Sequence, residues 1–407
     1  MDVVSGKYKR MQKNITLLIC FFFLFFGGVK NLCAGNLENL KKRIGRKDAI
    51  LVADHQGNIL LSKNAEKKLM PASTLKILTS LSALHYLGED FRFQTEFYTD
   101  KYANLKIKGY GDPLLISEVV AEISRDIGEK IGDFKDIVLD NSYFDPIHIP
   151  GVTTTLNPYD APIGALCVNF NTVFFKRKKN GVYASAEPQT PLLPFALKKI
   201  RKYGSKKGRV IFSQEQDEIT LYTGHLFQYF LKKAGVRSGG KIRMGSVDRK
   251  KDKLVLTHIS QFSLADVIRK LLEYSNNFIA NQTMVSIGAK VHSSPGTLKN
   301  GVGAMAAYAE NVLNLRDIRL AEGSGISREN RVSAKDLHRM LEAFEPHHAL
   351  MRQKGREFYK TGSLTGVKTR AGYIESNTGG LYRFAVMINT PRKSTNGVMS
   401  GLLRALP

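Results

Sequence analysis

Pro71-Ala72-Ser73-Thr74-Leu75-Lys76 opens a run in which Leu75, Leu78, Leu81 and Leu84 recur at helical spacing until Gly88 ends it. Ser73 is therefore expected in the first turn of a helix, where backbone N–H groups lack partners within the helix. Lys76 stands three residues later, on the same face, so its amine can reach the Ser73 hydroxyl. Upstream, the short apolar runs Ala49 to Ala53 and Ile59 to Leu61 flank a polar turn with Gly57 and Asn58, which reads as a β-hairpin. Downstream, Phe91 to Tyr98 and Leu105 to Lys108 alternate as strands do, and Gly109, Gly111 and Pro113 interrupt them.

From about 90 to 255 the chain mixes short strands, such as Asp136 to Leu139, with loops rich in Pro, Thr and Asn. Ser263 and Asp266 then form a helix-capping pattern ahead of Ile268, Leu271 and Leu272. That helix meets Ser275-Asn276-Asn277, residues that favour caps over helix interiors, and a second helical run covers Phe278 to Ile287. Tyr359 to Ser363, Ala371 to Ile374 and Leu381 to Asn389 read as strands, the last two joined at Gly379 and Gly380, and Gly401 to Leu406 as a closing helix. The order predicts an α/β (α+β) fold: an antiparallel sheet flanked by helices, formed by 35–89 and 256–407, with 90–255 inserted as an accessory lobe.

Residues 1–34 read as a secretory signal, because Lys7, Lys9, Arg10 and Lys13 precede an apolar run from Ile15 to Phe26. An uncleaved anchor is the alternative. A lipid-modified Cys33 fits less well, since Lys30-Asn31-Leu32 precede it. Cleavage near Ala34 would leave Cys167 as the single cysteine, unable to form an internal disulfide and expected as a small buried hydrophobe. The net charge of +25 calls for a polyanionic neighbour. Export argues against nucleic acid and for an anionic wall or membrane surface, and Lys176 to Lys179 and Lys198 to Arg209, with Tyr203 their only aromatic, lack a base-stacking pattern.

Two further motifs follow the first in order: Ser275-Asn276-Asn277 and Lys360-Thr361-Gly362. Lys76 can take a proton from Ser73 only if its pKa falls well below that of a free lysine, and burial beside a second cation, Lys360, would do this. Lys360 and the Thr361 hydroxyl could bind a terminal carboxylate, while Gly362 lets its strand approach the substrate backbone. The Ser363 N–H is the candidate second oxyanion donor. Ser275 would relay a proton to the leaving amine, and Asn277 would hold a substrate amide or orient Lys76.

With these motifs the chain resembles the low-molecular-mass class C penicillin-binding proteins, the S13 family of D-alanyl-D-alanine carboxypeptidases and endopeptidases. The resemblance extends to Gly109-Tyr110-Gly111-Asp112-Pro113, Leu139 to Asp145, Ala161-Pro162, Glu322 to Ser327, Gly366 and Ala371-Gly372-Tyr373. It implies a transpeptidase-type domain like that of serine β-lactamases, peptidoglycan peptides as substrates, β-lactam antibiotics as covalent inhibitors, and neither metal nor cofactor. The interval from Ser73 to Ser275 is shorter than is usual in the family, which implies a reduced lobe. Thr154 stands where some relatives carry an acidic residue, so side-chain specificity is open, as is oligomeric state.

Other candidates rank lower. Ser324 lacks the upstream glycine of a nucleophile elbow and reads as a turn residue. The nine histidines show no metal-binding spacing. Asp112 and Asp140 sit among turn formers. A non-catalytic peptidoglycan-binding protein should have lost Ser73, Lys76 or Lys360, and a β-lactamase should offer a glutamate to activate water against the acyl-enzyme.

Overall fold

The strand Asp48–Ala53 is buried along its whole length because both of its faces meet a core. Ala49, Leu51 and Ala53 point into the larger core, and Ile50 and Val52 into a second one on the opposite side, as the two-residue period of a strand requires. It pairs with Ile59–Lys63 on one edge and Leu381–Ile388 on the other. The hairpin near the start of the chain is thus stitched into a six-stranded sheet. Its order is Arg352–Lys354, Glu357–Leu364, Val367–Glu375, Leu381–Ile388, Asp48–Ala53, Ile59–Lys63, and every pairing is antiparallel. The computed structural model describes residues 37–407 except 212, 294 and 378; the expected signal segment 1–34, with Cys20 and Cys33, lies outside the described residues.

The helix Asn396–Ala405 covers one face of this sheet, packing Val398, Met399 and Leu402 with Leu37, Leu40 and Ile44. On the other face lies a helical layer centred on Lys76–Leu87, whose residues from Lys76 to Ala83 are all buried. It packs against Leu264–Tyr274, Asn277–His292, Leu298–Asn311 and Ala334–Phe344. So central a helix fixes its N-terminal end firmly, and that end carries Ser73.

The segment between these halves builds two further sheets. Lys253–Ser263, Arg92–Thr99 and Leu105–Gly109 pair antiparallel, and Ile137–Asp140 and Ile242–Met244 extend that sheet in parallel. Tyr183–Ser185, Thr172–Arg177 and Lys207–Ile211 make a three-stranded antiparallel sheet. The strand Lys253–Ser263 runs across position 255 without a break and feeds directly into the capped helix Leu264–Tyr274.

The sequence reading missed three helices in this region: Ser117–Gly128, Pro194–Tyr203 and Gln216–Lys233. In the last of these Thr220, Thr223 and Gly224 are buried together with Ile219, Tyr222, Leu226 and Phe227, so its inward face is not uniformly apolar and the helical period is blurred. The closing helix begins five residues earlier than expected, at Asn396. Cys167 is buried, and burial pushes its thiol up to about 12. Lys176, Arg177, Lys178 and Lys179 are exposed, as are Lys198, Arg201, Lys202, Lys206 and Lys207 of the second basic cluster. Among the described residues no helix is long and apolar enough to cross a membrane.

Candidate active site

Ser73 lies in a 3-10 turn, Ala72–Leu75, that leads into the helix Lys76–Leu87. The residue before it, Ala72, is held at φ 47°, a left-handed conformation that costs a non-glycine residue about 1 to 3 kcal/mol. Two glycines hold it there. A Cβ on Gly325 would fall 1.9 Å from the Ala72 carbonyl oxygen, and one on Gly362 would fall 2.8 Å from both the Pro71 oxygen and the Ser73 nitrogen. Gly362 therefore lets its strand press against the turn that carries Ser73. The sequence reading assigned that closeness to substrate; the structure corrects it, because the space a side chain would need is filled by Pro71, Ser73 and Thr369.

Lys76 is fully buried, and its Nζ lies 2.9 Å from Ser73 Oγ, 2.8 Å from Asn277 Oδ1 and 2.7 Å from the Ser324 carbonyl oxygen. Burial holds its pKa well below that of a free lysine, the nearby Lys360 charge adds to the shift, and Glu322 works against it. Asn277 orients Lys76 through its oxygen, while its Nδ2 donates to the Tyr159 carbonyl at 3.3 Å.

The second motif is presented by a helix break. The capping box of Ser263 and Asp266 starts Leu264–Tyr274, which ends at Ser275 in the left-handed conformation, φ 55°. Asn276 then caps the next helix by accepting from the Ile279 N–H at 3.2 Å. The break turns Ser275 towards the third motif, where Lys360 Nζ donates to Ser275 Oγ at 2.7 Å and to the Thr361 carbonyl at 2.9 Å. Lys360 is 2% exposed, and burial, assisted by the Arg352 charge, draws its pKa down to about 7.

Ser73, Ser275, Asn277, Thr361 and Ser363 line one cavity of about 870 Å³, with Tyr159, Asp160, Ile326 and Arg328 on its other walls. All eight residues singled out in the three motifs fall at this place: five line the cavity, Lys76 and Lys360 lie bonded beneath it, and Gly362 backs Ser73.

Sequence reasoning missed Glu322 and underread Ser324. Glu322 is fully buried and accepts from the Ser324 N–H and Oγ at 2.6 Å each, the Gly325 N–H at 2.8 Å, the Ser327 N–H at 3.2 Å and Asn330 Nδ2 at 2.7 Å. One carboxylate thus folds the loop whose Ser324 carbonyl holds Lys76. The signal was the acid at the head of Glu322-Gly323-Ser324-Gly325, but a backbone carbonyl as lysine partner leaves no residue-type trace. Asp112 and Asp140 do not line the cavity. Asp140 pairs with Lys108 at 2.8 Å, and Asp112 is buried with Oδ1 accepting from the Leu114 N–H. Among the described residues no group of His, Cys, Asp and Glu is placed to hold a metal ion.

A serine facing a buried lysine at a helix start, under an antiparallel sheet flanked by helices, defines the penicillin-recognising serine transpeptidase fold. Within it, the chain belongs to the D-Ala-D-Ala carboxypeptidase 3 (S13) family, which matches residues 37–208 and 203–353. It is 24% identical over 425 aligned residues to a D-alanyl-D-alanine carboxypeptidase of Actinomadura sp., covering 85% of this chain and 78% of that one. It is also 24% identical over 411 residues to the carboxypeptidase DacB of Haemophilus influenzae, covering 82% and 83%. The solved structure of penicillin binding protein 4 from Haemophilus influenzae superposes with a TM-score of 0.72 at 20% identity, over 88% of this chain and 94% of that one. A predatory peptidoglycan endopeptidase from Bdellovibrio bacteriovorus superposes with a TM-score of 0.51 at 16% identity, over 88% and 90%.

Proposed function

We propose that this chain is a penicillin-sensitive serine D-alanyl-D-alanine carboxypeptidase that trims peptidoglycan peptides through an acyl-enzyme on Ser73. The observation that carries the reading is the set of three partners around Lys76 Nζ. A neutral amine has two N–H donors and one lone pair. Asn277 Oδ1 and the Ser324 carbonyl can only accept, so they take the two N–H groups. The lone pair is left for the one partner with a proton to give, Ser73.

Lys76 takes that proton as Ser73 Oγ bonds to the carbonyl carbon of the penultimate D-alanine. The backbone N–H groups of Ser73 and Ser363 hold the developing oxyanion, each contributing about 3 kcal/mol. The bond to the terminal D-alanine nitrogen then breaks. Ser275 Oγ already accepts from Lys360, so it gives its own proton to the departing amine and takes back the one that Lys76 removed from Ser73, which leaves Lys76 neutral for the attacking water. Charged Lys360 with Thr361 holds the terminal carboxylate, and water finally cleaves the ester, restoring Ser73. In this reading 35–89 and 256–407 form the catalytic domain, and 90–255 an accessory lobe that reaches the cleft through Tyr159 and Asp160.

Benzylpenicillin offers a strained amide and a carboxylate in the same relation, so brief exposure should give one covalent adduct by intact-mass spectrometry. The adduct should map to the peptide holding Ser73, be absent in Ser73→Ala, and form about 10² to 10⁴ times more slowly in Lys76→Ala. Absence of both adduct and peptide cleavage would favour a binding module, and rapid penicillin hydrolysis without an adduct a β-lactamase. The basic, apolar start of the chain supports export to the periplasm or envelope, and the +25 charge supports attraction to anionic wall polymer. Cosedimentation with purified wall that persists unchanged as salt shortens the Debye length from ~10 to ~3 Å would refute that attraction.

A further inference from the structure

A second cavity, of about 410 Å³, shares a wall with the catalytic cleft: Tyr159 and Asn277 line both. Its walls combine the apolar Leu114, Ile116, Phe170 and Phe262 with the ion pair of Glu187 and Arg209 and with Lys270. At its rim Tyr159 and Tyr274 are 60% and 66% exposed. Among the described residues, the side chains of Tyr159, Tyr274, Gln189 and Glu118, all lining the cavity, make no hydrogen bond or ion pair with the protein.

Exposed aromatic faces beside unpaired hydroxyl, amide and carboxylate groups suit a ligand with an apolar face and a polar edge. A pyranose ring has that form: its C–H face lies on an aromatic ring, and its hydroxyl and acetamido groups take the polar side chains. An extended peptide adding to a sheet would need free backbone partners. Thr172 belongs to a strand paired on both sides, whereas Arg209 and Phe262 belong to edge strands, so a peptide adding there is the competing occupant, read out by a cross-linked peptide without sugar.

We propose that this cavity is a saccharide subsite, which holds an amino-sugar ring of the glycan that carries the stem peptide being cleaved. The proposal rests on the peptidoglycan reading above. It makes the glycan-bearing peptide, and not the free peptide, the preferred substrate, because the stem lies in the cleft on one side of Tyr159 while its sugar occupies the other.

The test compares kcat/KM on a disaccharide-linked pentapeptide with that on the same peptide without sugar, for the natural chain and for Tyr274→Ala and Gln189→Ala. The natural chain should prefer the sugar-bearing substrate at least tenfold. Tyr274→Ala should remove most of that preference and Gln189→Ala part of it, with the bare peptide and penicillin acylation of Ser73 unchanged. Equal kcat/KM on the two substrates, with Ser73 still acylated, would overturn the subsite and leave the carboxypeptidase reading standing. Equal losses on both substrates in the variants would also overturn it, as would a Tyr274-dependent preference for a sugar-free cross-linked peptide. Failure of Ser73 to acylate at all would sink the catalytic reading itself.

Discussion

The Nζ of Lys76 lies 2.7 Å from the carbonyl oxygen of Ser324, 248 residues further along the chain. That carbonyl is aimed by Glu322, whose carboxylate gathers five donors from its own loop. Replacing Glu322 by Gln puts an NH2 group among N–H donors and removes the charge that raises the Lys76 pKa. Glu322→Gln is expected to lower stability by about 2 to 3 kcal/mol. The protein that remains folded should show the acid limb of its acylation profile moved to lower pH. Thermal unfolding and penicillin acylation against pH measure the two effects, and an unmoved limb would assign Glu322 to folding alone.

Lys360 gives the peptide reaction a pH dependence that a neutral substrate should lack. Its pKa is drawn down to about 7, so the ammonium that holds a carboxylate is present below that pH and lost above it. KM for a D-Ala-D-Ala peptide should rise as pH passes from 6 to 8.5, with little change for a neutral thioester. Stability moves the other way. Between about 7 and the ordinary lysine pKa the unfolded chain binds the proton and the folded chain does not, so stability rises with pH across that window. Lys360→Met should therefore stabilise more at pH 6 than at pH 10, as thermal unfolding would record.

Gly325 has no room for a side chain, since a Cβ would meet the Ala72 oxygen at 1.9 Å. At φ 82° it also occupies a conformation that disfavours any L-residue. Gly325→Ala should displace the turn carrying Ser73 and slow penicillin acylation by at least a hundredfold, a loss expected when a reacting atom moves by about 1 Å. Circular dichroism would separate misplacement from unfolding, and natural acylation rates in a folded variant would refute the argument.

Asp112 is buried, and burial raises its pKa to about 6 against the Leu114 N–H and the Ser260 hydroxyl, which favour the charged form. The folded chain therefore holds a proton that the unfolded chain releases between about 4 and 6. Stability from this group is full below that window and lost as pH rises through it. Asp112→Asn removes the ionisation and should stabilise by roughly 2 to 3 kcal/mol at pH 8, with little effect at pH 4. Equal shifts at both pH values would show that the carboxyl is satisfied in some other way.

The linear motifs, the hairpin before them and the capped helix ahead of Ser275 could be read from residue order because each depends on local spacing. Ser73 and Lys76 share a helix face whatever surrounds them. Ser263 and Asp266 cap a helix from within four residues, and Ser275-Asn276-Asn277 breaks one because such side chains compete for backbone partners. Folding decided the rest. Burial lowers the pKa of both Lys76 and Lys360, and that burial is supplied by elements hundreds of residues apart in the chain. The third partner of Lys76 is a backbone carbonyl, identical in every residue type, so only its position in space marks it. Gly362 was legible as a close approach but not as an approach to Ser73, since what fills the space of a missing side chain is known only once two distant segments meet.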